Sequence, residues 1–140
     1  MNSAINQRIV YVEDDVELVK LVKMMLSLRG FEVTGVTEGE RGFNVIKQKK
    51  PAVVLLDLML PGMDGWEILR QLDGDEETRK IPVIIVSAKA QLVDRVRGLY
   101  VAQAKDYVSK PFQPSDLIEH IEQIIHTGSG LGSDANNFYI

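Results

Sequence analysis

The chain has 140 residues, of which 45% are apolar and 26% are charged, and its formal net charge is −4. This length suits one domain with a buried core, and the absence of cysteine excludes disulfides and thiolate metal sites. Mild acidity without a long basic run argues against direct nucleic-acid binding. No apolar run reaches the roughly 18 residues of a membrane span, and residues 1–7 are polar, so we expect a soluble, cytoplasmic protein without membrane contacts.

Short apolar runs predict five β-strands, at residues 9–12, 31–36, 53–56, 83–86 and 107–108. The first, third and fourth runs are almost continuously apolar and rich in β-branched residues. Strands buried on both faces have this composition, and parallel sheets covered by helices contain such strands.

Helical spacing of apolar residues follows each run, at residues 15–29, 38–49, 65–72, 90–102 and 115–126. The order is therefore βα repeated five times. Short right-handed crossovers then predict an α/β domain with a doubly wound five-stranded parallel sheet over residues 1–126. Residues 127–140 begin with a Gly/Ser-rich stretch and are predicted to form a flexible tail or linker.

Polar residues follow four of the five apolar runs. They are Glu13, Asp14 and Asp15 after the first run, Asp57 after the third, Ser87 after the fourth and Lys110 after the fifth. Open parallel sheets bind ligands at the carboxyl ends of their strands, so we expect these side chains to gather at one edge.

Carboxylates gathered at that edge would repel one another. Two unit charges about 4 Å apart repel by roughly 4 kcal/mol at an effective dielectric constant of 20. Bringing Asp14 and Asp57 together near Glu13 therefore calls for a cation. Magnesium prefers oxygen ligands and accepts phosphate oxygens. The two histidines, His120 and His126, lie in the last predicted helix, away from this edge, which argues against a zinc or copper site.

Lys110 and Ser87 add an ammonium and a hydroxyl, which can hold the oxygens of an anion. Together with a carboxylate nucleophile and a metal, they are typical of a phosphoryl-transfer site, at which Asp57 forms an acyl phosphate.

Each of these residues alone has a simpler structural explanation. A Glu-Asp-Asp run or a serine after a strand commonly caps a helix, an aspartate commonly forms a turn, and a lysine is commonly solvated. Their coincidence at four strand ends favours a single functional site.

Four segments at these positions resemble the receiver domain of two-component response regulators. They are Val12-Glu13-Asp14-Asp15, residues 56–65 around Asp57, Val86-Ser87-Ala88 and residues 107–112 around Lys110. The resemblance covers about residues 8–125 and implies the flavodoxin-like receiver fold.

The resemblance implies that Asp57 is the phosphoacceptor and that the cofactor is Mg²⁺, with Mn²⁺ as a substitute. Asp14, Asp57 and the backbone carbonyl of Met59 would ligate the metal directly. Glu13 would ligate it through water. No organic cofactor is implied.

The resemblance also implies a switch. Ser87 would turn toward the phosphoryl group, Tyr107 would move inward with it, and Lys110 would pair with Asp57 or the phosphoryl group. The Lys110–Pro111 bond would be cis. The phosphoryl donor would be a sensor histidine kinase or a histidine phosphotransfer protein. The chain would be a signalling domain that catalyses only its own phosphorylation and dephosphorylation, with its readout on the fourth helix, fifth strand and fifth helix.

Residues 94–99 and Asp106 resemble the winged-helix transcriptional regulators, which implies a homodimer through that same surface. The basic residue that this branch carries midway along the fifth helix is replaced here, where Glu119, His120 and Glu122 stand.

Three alternatives remain open from the residues. A phosphatase of the haloacid dehalogenase type would need a second acid two residues after Asp57, where Met59 stands. A flavin binder would need a phosphate loop after the first strand, where Glu13 would repel the phosphate. A receiver that only mediates contacts would lack one of the site residues, and none of them is missing from this sequence.

Overall fold

The computed structural model describes residues 6–88 and 104–126. Its strands are β1 (Arg8–Val12), β2 (Glu32–Val36), β3 (Val53–Asp57), β4 (Val83–Ala88) and β5 (Ala104–Lys110). They form one parallel sheet in the order β2-β1-β3-β4-β5. The described helices are α1 (Val16–Ser27), α2 (Gly39–Lys49), α3 (Gly65–Asp73) and α4 (Pro114–His126). The helix predicted at 90–102 and the tail at 127–140 lie outside the described residues.

Helices cover both faces of the sheet, which confirms the doubly wound architecture. One core layer joins the sheet to α1 and α4 through residues such as Val22 and Ile121. The other layer joins it to α2 and α3 through residues such as Ile46 and Leu69. Since β1, β3 and β4 are buried from both sides, their almost continuously apolar sequences are explained. Within the described part of the chain, no helix has the length and apolar character needed to cross a bilayer.

Three strands run further than their apolar runs predict. Asp57 is the last residue of β3, Ser87 lies inside β4, and Lys110 is the last residue of β5. Their backbones continue the parallel register, with Asp57 opposite Val86 and Ser87 opposite Ser109. Backbone pairing, rather than side-chain polarity, sets where these strands end, so the polar side chains are held by the sheet itself.

A cap residue begins each of the two helices that follow the site segments. The Asp15 carboxylate accepts a hydrogen bond of 3.1 Å from the Leu18 backbone N–H and caps α1. The Asp64 carboxylate accepts one of 3.0 Å from the Trp66 N–H and caps α3. The simpler structural explanation is therefore correct for Asp15, whose carboxylate is committed to the helix N-terminus.

Gly65 allows the first turn of α3 to touch the backbone after β3. A Cβ atom at this position would lie 2.5 Å from the carbonyl oxygen of Asp57 and 2.6 Å from the Cα of Leu58. The Gly65 N–H also donates to the Leu58 carbonyl at 3.1 Å. This close approach fixes the chain that leaves Asp57.

Two ion pairs hold α4 against the rest of the domain. His120 Nδ1 contacts the Asp106 carboxylate on β5, and Arg29 lies 3.0 Å from the Glu122 carboxylate. The hydrogen bond to Asp106 raises the pKa of His120 above its ordinary value of 6.5; partial burial opposes this rise, and the negative charges of Asp106, Asp116 and Glu119 add to it. A basic group therefore does face Asp106 from the last helix, in the form of a histidine.

We predict that Gly65→Ala lowers the free energy of unfolding by about 1–3 kcal/mol, because the added methyl group overlaps backbone atoms. Urea unfolding measures the change. Gly74→Ala is the control, since its Cβ would come no nearer than 3.4 Å to a neighbouring atom; its change should stay within about 0.5 kcal/mol. Equal losses in both variants would contradict the steric explanation.

The raised pKa of His120 predicts a pH-dependent contribution to stability. The pair is fully stabilising below the unfolded-state pKa of 6.5 and loses its effect as the pH rises through the higher folded-state pKa. The difference in unfolding free energy between the wild type and His120→Gln should therefore shrink as the pH rises above 6.5 and through the folded-state pKa.

The same comparison in an Asp106→Asn background is the control for the His120 prediction. Without the Asp106 carboxylate, the effect of His120→Gln should change much less with pH, because only the weaker charges of Asp116 and Glu119 remain. A wild-type difference that stays constant with pH would show that the ion pair does not contribute to stability.

Candidate functional site

Three carboxylates meet at the carboxyl edge of the sheet. Single oxygens of Glu13, Asp14 and Asp57 all lie within 4.8 Å of one another. Glu13 and Asp14 follow β1, and Asp57 ends β3, which is the neighbouring strand. The chain leaves β1 toward β2 on one side and leaves β3 toward β4 on the other, so the cluster lies at the switch in strand order where such sheets bind ligands.

The alternation of side chains along the strands determines which groups share a face. Glu13, Asp57 and Lys110 each come two residues after a side chain packed in the layer with α1 and α4. Ser87 comes two residues after Ile85, which packs in the opposite layer. Side chains alternate between the two faces of a strand, so the site is built from both faces of the same edge.

The Lys110 ammonium bridges two of the carboxylates. Its Nζ lies 2.5 Å from Glu13 Oε1 and 3.0 Å from Asp57 Oδ2. Partial burial lowers the pKa of Lys110, but the hydrogen bonds to Glu13 and Asp57 outweigh burial and raise it above its ordinary value. The ammonium is therefore a permanent positive charge between two acidic groups.

Glu13 is almost fully buried, with 1% of its surface exposed. Burial raises the pKa of Glu13 and the charge of Asp57 adds to this, while hydrogen bonds from Lys110 and from the Asp15 N–H oppose it. The net direction is upward, and burial is its largest cause. Three carboxylates beside one lysine form a set of hard oxygen donors that fits a divalent cation such as Mg²⁺.

The Asp57 carboxylate is fixed at both oxygens. Oδ1 accepts a hydrogen bond of 2.9 Å from the Met59 backbone N–H, and Oδ2 accepts the bond from Lys110. Only 3% of Asp57 is exposed. The carboxylate is thus oriented at the edge of the sheet, whereas the Met59 side chain is exposed. The predicted role of the Met59 carbonyl stays a prediction.

The Ser87 hydroxyl is fully buried, and its Oγ has no hydrogen-bond partner among residues 6–88 and 104–126. A buried hydroxyl without a hydrogen bond costs roughly 1–3 kcal/mol, so a buried group of this kind calls for an explanation. Tyr107 lies on the neighbouring strand, half-buried against the layer with α2 and α3. The Lys110–Pro111 peptide bond is cis, as the resemblance implied.

Sequence reasoning missed Tyr11. Its hydroxyl lies 3.3 Å from Glu13 Oε1, inside the core. Burial raises the pKa of Tyr11, and the neighbouring Glu13 raises it further. The sequence did contain an indication of this contact. Side chains two residues apart on a strand share a face, and Tyr11 precedes Glu13 by two residues.

Comparison with known proteins agrees with this geometry. The family model of the response regulator receiver domain matches residues 9–122. The DNA-binding response regulator MtrA of Mycobacterium tuberculosis is 36% identical over 115 residues, which are 82% of this chain and 49% of that protein. The phosphate regulon transcriptional regulatory protein PhoB of Pseudomonas aeruginosa is 34% identical over 127 residues, 90% of this chain and 55% of that protein. The chain therefore spans about half the length of these relatives.

Solved structures show the same fold. A CheY-like response regulator receiver domain protein from Methanospirillum hungatei has a TM-score of 0.79 and 30% identity, covering 87% of this chain and 95% of that one. The receiver domain of a sensor histidine kinase from Pseudomonas aeruginosa has a TM-score of 0.76 and 29% identity, covering 86% and 98%. That domain holds a magnesium ion in its active site cleft. Since the family model covers residues 9–122 and the relatives exceed 30% identity over most of the chain, the present chain belongs to the response regulator receiver domain family.

Proposed function

We propose that Asp57 accepts a phosphoryl group from a phosphohistidine on a sensor histidine kinase or a histidine phosphotransfer protein. The observation that carries the proposal is the arrangement around Asp57. Its carboxylate is held by the Met59 N–H and by Lys110, beside two further acids. A buried nucleophile with a fixed orientation and a neighbouring cation suits phosphoryl transfer, which depends mainly on positioning and charge neutralisation.

The transfer forms one bond and breaks one. A carboxylate oxygen of Asp57 attacks phosphorus, and the bond from phosphorus to the donor imidazole nitrogen breaks, which leaves an acyl phosphate and a free histidine. Lys110 keeps its proton and pairs with the added negative charge. The Ser87 hydroxyl has no hydrogen-bond partner within the described parts of the chain, and it would donate to a phosphoryl oxygen.

The acidic cluster would hold Mg²⁺, with Mn²⁺ as the expected substitute. Asp14, Asp57 and the Met59 carbonyl would be direct ligands, and Glu13 would bind through water. When bound, the ion supplies positive charge to the carboxylates and to the phosphoryl oxygens. The residues fit this role because three carboxylates converge, and among the described residues Lys110 is the cation that contacts them.

The phosphorylated Asp57 would be a signal state. Ser87 and Tyr107 lie on adjacent strands, since Ser87 pairs with Ser109 and Tyr107 pairs with Ile85. A turn of Ser87 toward the phosphoryl group would free space for Tyr107 and change the surface of β5 and α4. The predicted helix at 90–102 would complete this surface, and a homodimer through it stays a prediction.

A covalent phosphatase is the alternative function. It would need a general acid near the acyl phosphate to speed its hydrolysis. Met59 stands two residues after Asp57, and its exposed thioether cannot supply a proton. Catalysis limited to the chain's own phosphorylation and dephosphorylation is therefore the better-supported function.

We predict a single phosphoryl adduct after incubation with Mg²⁺ and acetyl phosphate, because the small donor needs no protein partner to reach Asp57. Intact-protein mass spectrometry measures the adduct. Asp57→Asn should abolish it, and removal of divalent cations with EDTA should suppress it in the unmutated chain.

Asp73→Asn is the matched control for the adduct experiment, since Asp73 is an exposed aspartate at the end of α3. It should be phosphorylated like the wild type. An unmutated chain that acquires no adduct, or an Asp57→Asn variant that acquires a normal one, would refute the assignment of Asp57.

The switch predicts a different result for Ser87→Ala. This variant should still form the adduct, but NMR chemical shifts of Tyr107 and α4 should no longer respond to phosphorylation, because Tyr107 loses the group that it follows. Ser109→Ala, at the paired position on β5, should keep the response. Equal responses in Ser87→Ala and the wild type would show that Ser87 does not transmit the signal.

A further inference from the structure

We infer that Tyr11 is a positioning residue of this site, and that its hydroxyl holds the Glu13 carboxylate when Lys110 turns to a phosphoryl group. The inference rests on the proposed function, since it assigns Tyr11 a part in the same phosphoryl transfer. It concerns a residue that lies within the core of the domain and does not reach the reacting atoms itself.

The geometry places the Tyr11 hydroxyl on Glu13. Tyr11 lies at 0% exposure in β1, and its Oη–H donates to Glu13 Oε1 at 3.3 Å. Since Tyr11 and Glu13 are two residues apart along the strand direction, their side chains share one face. The other side chains of β1 from Ile9 to Val12 are aliphatic. Within this part of the strand, the Tyr11 hydroxyl is therefore the polar side-chain group next to the site.

Glu13 depends on a small set of donors. Oε2 accepts a hydrogen bond of 3.1 Å from the Asp15 N–H. Oε1 is shared between Lys110, at 2.5 Å, and Tyr11. Because only 1% of Glu13 is exposed, bulk water has little access to replace a donor that leaves. A carboxylate buried in this way needs every hydrogen bond it has.

Lys110 is the donor that leaves. Its ammonium is divided between Glu13 and Asp57, and phosphorylation would add negatively charged oxygens at Asp57. These oxygens would compete for the lysine N–H groups and draw them away from Glu13 Oε1. The Tyr11 hydroxyl already donates to that oxygen, so Glu13 would keep a partner and its orientation toward Asp14 and Asp57.

Simple core packing is the competing explanation for Tyr11. The ring lies in the layer with α1 and α4, where a phenylalanine ring would fill the same space. The two explanations therefore differ only in the hydroxyl, and Tyr11→Phe removes that group alone.

A four-variant cycle tests the inference: wild type, Tyr11→Phe, Glu13→Gln and the double variant. Mg²⁺ affinity by calorimetry and the rate of phosphorylation by acetyl phosphate are measured in each. We expect Tyr11→Phe to weaken Mg²⁺ binding and to slow phosphorylation, each by about 3- to 10-fold. This factor corresponds to the net contribution of one hydrogen bond. In the Glu13→Gln background, Tyr11→Phe should cause no further change, because the hydroxyl acts through the carboxylate.

A spectroscopic measurement accompanies the cycle. The ¹³C shift of the Glu13 side-chain carboxyl should move in Tyr11→Phe, while that of Asp75, on the far side of the domain and paired with Lys47, should not. This readout reports the hydrogen bond directly and does not depend on any change in overall stability.

Two results would overturn the inference. One is an unchanged Mg²⁺ affinity, phosphorylation rate and Glu13 shift in Tyr11→Phe; the other is an equal loss in both backgrounds, which would indicate a purely structural effect. A wild type that forms no adduct would instead refute the proposed function. If the wild type is phosphorylated normally and Tyr11→Phe has the same Mg²⁺ affinity, phosphorylation rate and Glu13 shift, only the role of Tyr11 is refuted.

Discussion

The ammonium of Lys110 between Glu13 and Asp57 is the interaction on which the site depends. Both acids are almost fully buried, and without a cation their repulsion would amount to several kcal/mol at the carboxyl edge of the sheet. Lys110 comes from β5, two strands away from β3, so the charge balance also requires that β4 and β5 be in register. The site and the second half of the sheet therefore stabilise each other.

β5 also connects the site to the opposite side of the domain. Its last residue is Lys110, Tyr107 lies on its other face, and Asp106 binds His120 on α4. A change at Asp57 that recruits Lys110 acts on the strand that carries these contacts. This connection favours a function in which phosphorylation changes the surface formed by β5 and α4, rather than one in which a product is released.

Much of the fold and of the site could be predicted from the sequence, because apolar runs and helical spacing indicate which residues are buried. The order of elements and the meeting of Glu13, Asp14, Asp57 and Lys110 follow from strand ends that share one edge. The ends of β3 and β5 could not be predicted, because backbone pairing with a neighbour extends a strand past its apolar residues. Tyr11 was counted among apolar residues, although its hydroxyl becomes informative once the face it shares with Glu13 is considered.

The central claim is that Asp57, rather than its acidic neighbours, becomes the acyl phosphate. Borohydride reduces an aspartyl phosphate to homoserine and leaves free carboxylates intact. After treatment with Mg²⁺ and acetyl phosphate, then borohydride, peptide sequencing by mass spectrometry should find homoserine in place of Asp57 and unmodified Glu13 and Asp14. A reduced residue at position 13 or 14, with Asp57 intact, would contradict the account.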